Sequence, residues 1–359
     1  MKKLLASALT LTLSLGLLAG CSGTAVVQVP GTPAPAPAPT PVETSAPAPG
    51  NSSGEAVKTG LFMLTTVAKS KDAAADAEGL AQANVDLVAV TVGDDGVIDA
   101  CVIDAIQSKI GFDAAGKLTT PLDTVVPSKN ELGANYGMGK ASSIGKEWDE
   151  QLRALAGYVV GKTLDEVKGI AVQEDGTAGD ADLAATITLS IADYLEGIEK
   201  AVENAVHLGA HKGDRLALTT STNIAKSKDA TAEADGLAQA YATVAAVTLN
   251  GDTVTSCTID AVQANVNFDA AGKLTTDTSI FQPSKNELGA NYGMKEYSGI
   301  GREWDEQAAA FCAYVTGKSL SDVAGIAVND HESPTDADLA ASVTIGIGEF
   351  QELIAKAGA

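Results

Sequence analysis

One unit is written twice along this chain. SKNELGANYGM at 128–138 returns at 284–294, and FDAAGKLTT at 112–120 returns at 268–276. GKEWDEQ at 145–151 returns as GREWDEQ at 301–307, and DADLAA at 180–185 returns at 336–341. The offset is 156 residues in all four cases. Solenoid repeats run to roughly 20–50 residues, so this spacing indicates a duplicated domain rather than an array. The copies are expected at 55–207 and 208–359, and an element proposed for one must be found in the other.

Within a copy, Ala238 to Leu249 alternates small and apolar residues, Asn250-Gly251 is a two-residue hairpin signal, and Thr253 to Phe268 is strand-like again. Asp94-Asp95-Gly96 marks the same turn in the first copy. Ile144, Trp148, Leu152, Leu155 and Val159 recur three or four apart and predict an amphipathic helix, matched by Ile300, Trp304, Ala308, Phe311 and Val315. Thr163 to Glu166 reads as a capping box for a short second helix, with Ser319 to Asp322 as its counterpart. Val343, Ile345 and Ile347 alternate as a strand does, ahead of a last helix over Glu349–Lys356. Strands grouped apart from helices place the chain in the α+β class: two tandem duplicated domains, each an antiparallel hairpin-based sheet with packed helices.

Residues 1–20 read as an export signal, with Lys2 and Lys3 ahead of an apolar run from Leu4 to Leu18. Leu18-Ala19-Gly20-Cys21 has the lipobox pattern, in which Cys21 becomes a lipidated N-terminus; the plainer reading is a cleaved signal followed by a chance cysteine. Eight of the twelve prolines fall between Pro30 and Pro49, so 21–54 reads as a linker that favours polyproline II over a packed core. Extended, such a segment reaches on the order of 100 Å, which suits a domain held off a membrane; a flexible tether with no length requirement fits equally.

The formal charge is −22, and loss of the signal's two lysines makes it −24. That balance excludes binding to nucleic acid through its phosphates and docking on anionic lipid by charge. Three histidines, with neither HExxH nor CxxC, remove support for zinc proteolysis and dithiol redox motifs, and no metal site is expected. Cys101 and Cys257 are repeat equivalents read as buried thiols, and Cys312 reaches Cys257 only if its helix packs on that strand. No catalytic constellation points to an enzyme.

KSKDATAEADGLAQ at 226–239, the Asn-Gly hairpin, KNELGANYGM, IG(K/R)EWDEQ and the GK(T/S)L segment together resemble the flavin-carrying lipoproteins of Gram-positive extracellular electron transfer. The likeness spans about 56–359 and keeps the blocks in order. It implies tandem domains of the FMN-binding type, with FMN joined by its phosphate to a Thr hydroxyl by a flavin transferase. Electrons would pass from a membrane quinone-linked dehydrogenase to extracellular acceptors such as ferric iron, with the protein lipid-anchored on the outer face of the cytoplasmic membrane.

The resemblance points first to Asp229-Ala230-Thr231 as the modified segment, where a hydroxyl stands beside small residues. The first copy has Ala74 at that place and cannot be modified there. A rival lies at Asp182…Thr188 and Asp338…Thr344, each an Asp six residues before a Thr, although the alternation there predicts a buried strand. Tyr136 and Tyr292 are candidate ring partners, Asn135 and Asn291 candidate hydrogen-bond partners for the flavin, and Trp148 and Trp304 core residues of the helix. The alternative from another class is a surface lipoprotein that binds a ligand or partner protein with no redox role; a third is a cell-wall spacer.

Overall fold

The computed structural model describes residues 54–359. The signal segment, Cys21 and the linker up to residue 53 lie outside the described residues. Three strands open the first repeat: β1 (Val57–Thr66), β2 (Gly79–Gly93) and β3 (Ile98–Phe112). Five helices follow: α1 (Lys129–Leu132), α2 (Trp148–Val159), α3 (Leu164–Lys168), α4 (Ala181–Ala184) and α5 (Ala192–Glu203). The second repeat reproduces them as β4 (Arg215–Asn223), β5 (Gly236–Asn250), β6 (Thr253–Phe268), α6 (Lys285–Leu288), α7 (Trp304–Val315), α8 (Leu320–Ala324), α9 (Ala337–Ala340) and α10 (Gly348–Ala357). Both sheets are antiparallel with strands in sequence order. The α+β reading holds, with a third strand in each copy that the hairpin signal did not include.

The long hairpins turn where the sequence placed them. Gly96 and Gly251 adopt φ of 78° and 57°, the left-handed region that a tight turn requires and glycine enters at least cost. The first turn is one residue longer, so equivalent positions differ by 157 before the hairpin and by 156 after it. Asp72, Ala73 and Ala74 therefore correspond to Asp229, Ala230 and Thr231.

The central strand carries unbroken apolar runs because both its faces are covered. Val88 and Val90 point to the helices and join Trp148, Leu152, Leu155 and Ile198 in one core. Leu87 and Ala89 point the other way, into clusters shared with Val244, Val262 and Ala246 of the second repeat. The second repeat buries Val247, Ile259, Phe311 and Leu353 under its own helices. The order of layers is helices, sheet, sheet, helices.

A quasi-twofold contact closes the far end of the paired sheets. The rings of Phe112 and Phe268, repeat equivalents, stack at 4.2 Å and 7°. Ala73 donates its N–H to Gly272, and Ala230 donates to Gly116, both at 2.8 Å. Asp72 accepts from the Leu274 N–H and Asp229 from the Leu118 N–H, both at 2.9 Å. Each carboxylate also pairs with a lysine of the other copy, Lys273 and Lys117 respectively. Gly79 and Gly236 lie flat beneath the phenylalanine rings, where an added Cβ would meet ring carbons at 2.3 and 2.5 Å.

One expected strand is absent. The Val343–Ile347 segment follows the single turn α9 as irregular backbone, and Thr188 lies in the equivalent segment after α4. The alternation marks burial correctly, with Val343 and Ile347 inside and Thr344 exposed. The hydrogen bonds come from elsewhere: the Thr344 N–H donates to a glutamine side chain and the Ile347 N–H to the carbonyl of Glu332. A strand needs a neighbouring ladder, and periodicity does not report one.

Truncating either stacked ring, Phe112→Ala or Phe268→Ala, is expected to cost about 3–5 kcal/mol. Urea unfolding should give nearly the same loss for both, since the rings occupy equivalent places.

Candidate functional site

In each repeat the KNEL block is a single helical turn pinned on the last strand. Ser128 and Ser284, both buried, cap it in reciprocal capping boxes with Glu131 and Glu287. Asp104 accepts the Ala105 and Asn130 N–H groups, and Asp260 those of Ala261 and Asn286. Burial outweighs these bonds and pushes both carboxyls up to about 6. The turn continues into a 3-10 turn, Gly133–Tyr136 or Gly289–Tyr292, stopped by Gly137 or Gly293 with φ of 79° or 77°.

This geometry sets a lysine against aromatic rings. The Lys285 ammonium lies 4.4 Å from the Trp304 ring, 4.7 Å from Tyr241 and 4.8 Å from Tyr292, and donates to the Tyr241 hydroxyl at 2.9 Å. Burial lowers it to about 8, against the opposing charge of Glu349. In the first repeat Lys129 stands 4.6 Å from Trp148 and 5.1 Å from Tyr136. Trp148 and Trp304 are core residues, as the helix stripe implied, while Tyr136 and Tyr292 are half-buried and Asn135 and Asn291 exposed.

The rival threonines adjoin the same helix. Gln307 of α7 is fully buried, and its carbonyl oxygen accepts from the Thr344 N–H at 2.8 Å, the Thr344 hydroxyl at 3.2 Å and the Ile345 N–H at 3.3 Å. Its amide donates to the Arg302 carbonyl and the Ser298 hydroxyl. One side chain thus joins the segment bearing Thr344 to the loop that follows Tyr292. That loop is also tied to the start of α7 by the Met294 N–H, which donates to Glu303 at 2.8 Å. Gln151 repeats the arrangement with Thr188, Lys146 and Ser142, and Met138 repeats it with Glu147. Both threonines are exposed.

Thr231 sits elsewhere. It is exposed, and its hydroxyl accepts from the N–H groups of Glu233 and Ala234 within its own loop. Asp229 and Ala230 serve the contact between repeats, as Asp72 and Ala73 do beside Ala74. The depression beside Thr231 is lined by Glu233, Asp235 and Asp269 together with alanines, and carries no aromatic ring.

A phosphate ester of FMN needs a reachable hydroxyl, and its ring system needs an aromatic face. Thr188 and Thr344 offer exposed hydroxyls, each bridged by one glutamine to the loop that follows a half-buried tyrosine. Thr231 offers the hydroxyl alone, amid three carboxylates that repel a phosphate. Tyr297, 87% exposed in the loop held by Gln307, was not singled out from sequence; Ala141 takes its place in the first repeat. Its only sequence signal is that it falls where the two copies diverge, KEYSGIGR against GKASSIGK. His207, at the junction of the repeats, bonds Asp94 at 3.0 Å.

Comparison with family models, with curated proteins and with solved structures finds no match to this chain.

Gln307→Leu should unpair the amides of Thr344 and Ile345 and cost about 1–3 kcal/mol. Hydrogen exchange is expected to speed up at those two amides while those of the β5–β6 ladder keep their protection. A second test concerns Asp260. The unfolded chain ionises this carboxyl near pH 4 and the folded chain near 6, so native stability falls as pH rises through that window. Asp260→Asn retains an acceptor and cannot ionise. Its stability relative to the parent should rise by up to about 3 kcal/mol between pH 4 and pH 7 in urea unfolding.

Proposed function

We propose that this protein is a lipid-anchored extracellular electron carrier holding one covalent FMN per repeat, attached at Thr188 and Thr344. The observation that carries the reading is the presentation of an exposed threonine hydroxyl by a buried glutamine in both copies, the same glutamine being tied to the loop that follows a half-buried tyrosine. A functional hydroxyl under the same restraint in each half fits the block resemblance better than Thr231, which the first copy lacks. FMN supplies the one- and two-electron chemistry when bound. The chain's own part is to hold the hydroxyl where a transferase reaches it, to offer Tyr136 or Tyr292 to the ring, and to keep a lysine against that tyrosine, half-buried Lys129 or buried Lys285.

The other components follow from the resemblance: a flavin transferase, a membrane quinone-linked dehydrogenase as donor, and an acceptor such as ferric iron. Among the described residues no helix is long and apolar enough to cross a membrane, and the reading assigns attachment to Cys21. The net negative charge is compatible with recruiting cationic ferric species.

Intact mass and visible absorbance of the chain co-expressed with a flavin transferase test the proposal. Two additions of FMN are expected, each with loss of one water. Thr344→Ala and Thr188→Ala should each remove one addition, and Thr231→Ala none. Loss of an addition in Thr231→Ala would move the site there. An unmodified, colourless protein would overturn the carrier reading in favour of a surface binding module.

A further inference from the structure

Below the second repeat's site lie two thiols that no electron-carrier role requires. Cys257 of β6 and Cys312 of α7 have their Sγ atoms 3.1 Å apart and are 2% and 4% exposed. Both are free. They share the wall of a cavity of about 530 Å³ between α7 and the Val206–Leu208 segment that joins the repeats. The first repeat keeps Cys101 but has Ala156 where Cys312 stands, so the facing thiol belongs to the second copy alone.

We propose that Cys257 and Cys312 are a redox site, a dithiol that closes to a disulfide through exchange with a disulfide oxidant. One thiolate attacks the oxidant and forms a mixed disulfide. The second thiol displaces it, so two protons and two electrons leave the pair and the oxidant departs as two thiols. A disulfide needs sulfurs about 2.05 Å apart, an approach of roughly 1 Å from their present separation. The cavity gives a small oxidant access to sulfurs that are otherwise enclosed. Burial and the neighbouring thiol hold the Cys312 thiol well above its ordinary range, so thiolate is scarce and exchange in the folded chain is slow. An exported chain meets such oxidants and keeps the product. The bond would clip β6 to α7, closing a stretch of 55 residues and fastening the helix that carries Trp304 and Gln307.

The full chain, incubated with oxidised glutathione and digested with trypsin without reductant, tests this directly. Peptides 229–273 and 303–318 are expected to run as one species, two hydrogens lighter than their sum and separated by reductant. The oxidised chain should melt about 5 °C or more above the reduced one. Cys312→Ala, which installs the first repeat's residue, should fold and abolish that difference. Recovery of both peptides with free or glutathione-capped thiols after prolonged oxidation would overturn the proposal. So would a bridge from either cysteine to Cys21 or Cys101, or a melting difference that persists in Cys312→Ala. None of these outcomes depends on flavin.

Discussion

The face-to-face burial of two three-stranded sheets is the constraint on which the rest of this structure depends. Each sheet already spends one face on its helices, and its other face presents residues such as Leu87 and Val244, which are apolar and fully buried. Left alone, a repeat would expose that face to water. The duplication meets the need with a second copy of the same surface, and the stacked phenylalanines with their reciprocal Asp and Lys contacts set how the copies meet. Self-complementary contacts of this kind are what twofold dimers use, here within one chain. The segment 206–210 that joins the repeats adds its own bonds, with the Thr59 N–H donating to Val206 and the Val57 N–H to Ala210.

With the sheets committed to each other, the helical faces carry the lysine–aromatic clusters and both candidate threonines. That is where the repeats differ in chemistry while sharing geometry. Tyr241 and Thr243 of the second copy replace Asn84 and Asp86 of the first. Asp86 is raised by burial against the pull of Lys129, whereas Thr243 donates to Glu349 at 2.8 Å. Two sites on the same frame thus sit in different fields. Gln151 and Gln307 are common to both, and each satisfies groups from a loop and from a helix-end segment that no backbone ladder serves. A buried amide fully paired in this way specifies one arrangement, since any slip leaves polar atoms unpaired.

Much of this is legible in the sequence. Period-two runs with Asp94-Asp95-Gly96 and Asn250-Gly251 located the two long hairpins, the stripe from Trp148 to Val159 located the packing helix, and the capping boxes at Thr163 and Ser319 located the short ones. The segment from Val343 to Ile347 misled because alternating burial arises wherever extended backbone lies on a core, with or without a partner strand. The segment Asp229-Ala230-Thr231 shows a different limit of reading one copy by itself. Two of its three residues are fully accounted for by a contact between repeats, and that contact is invisible in either copy taken alone.

The sequence by itself determined the duplication, the class of fold, the hairpins and which helix faces are buried, because these follow from local periodicity and turn chemistry. Only the tertiary structure decided which threonine shares a helix with the tyrosine loop, which lysines sit among aromatic rings, and that Cys312 faces Cys257. Those facts are distances between residues tens to hundreds of positions apart. They are set by how two sheets and their helices pack, which residue spacing along the chain does not encode.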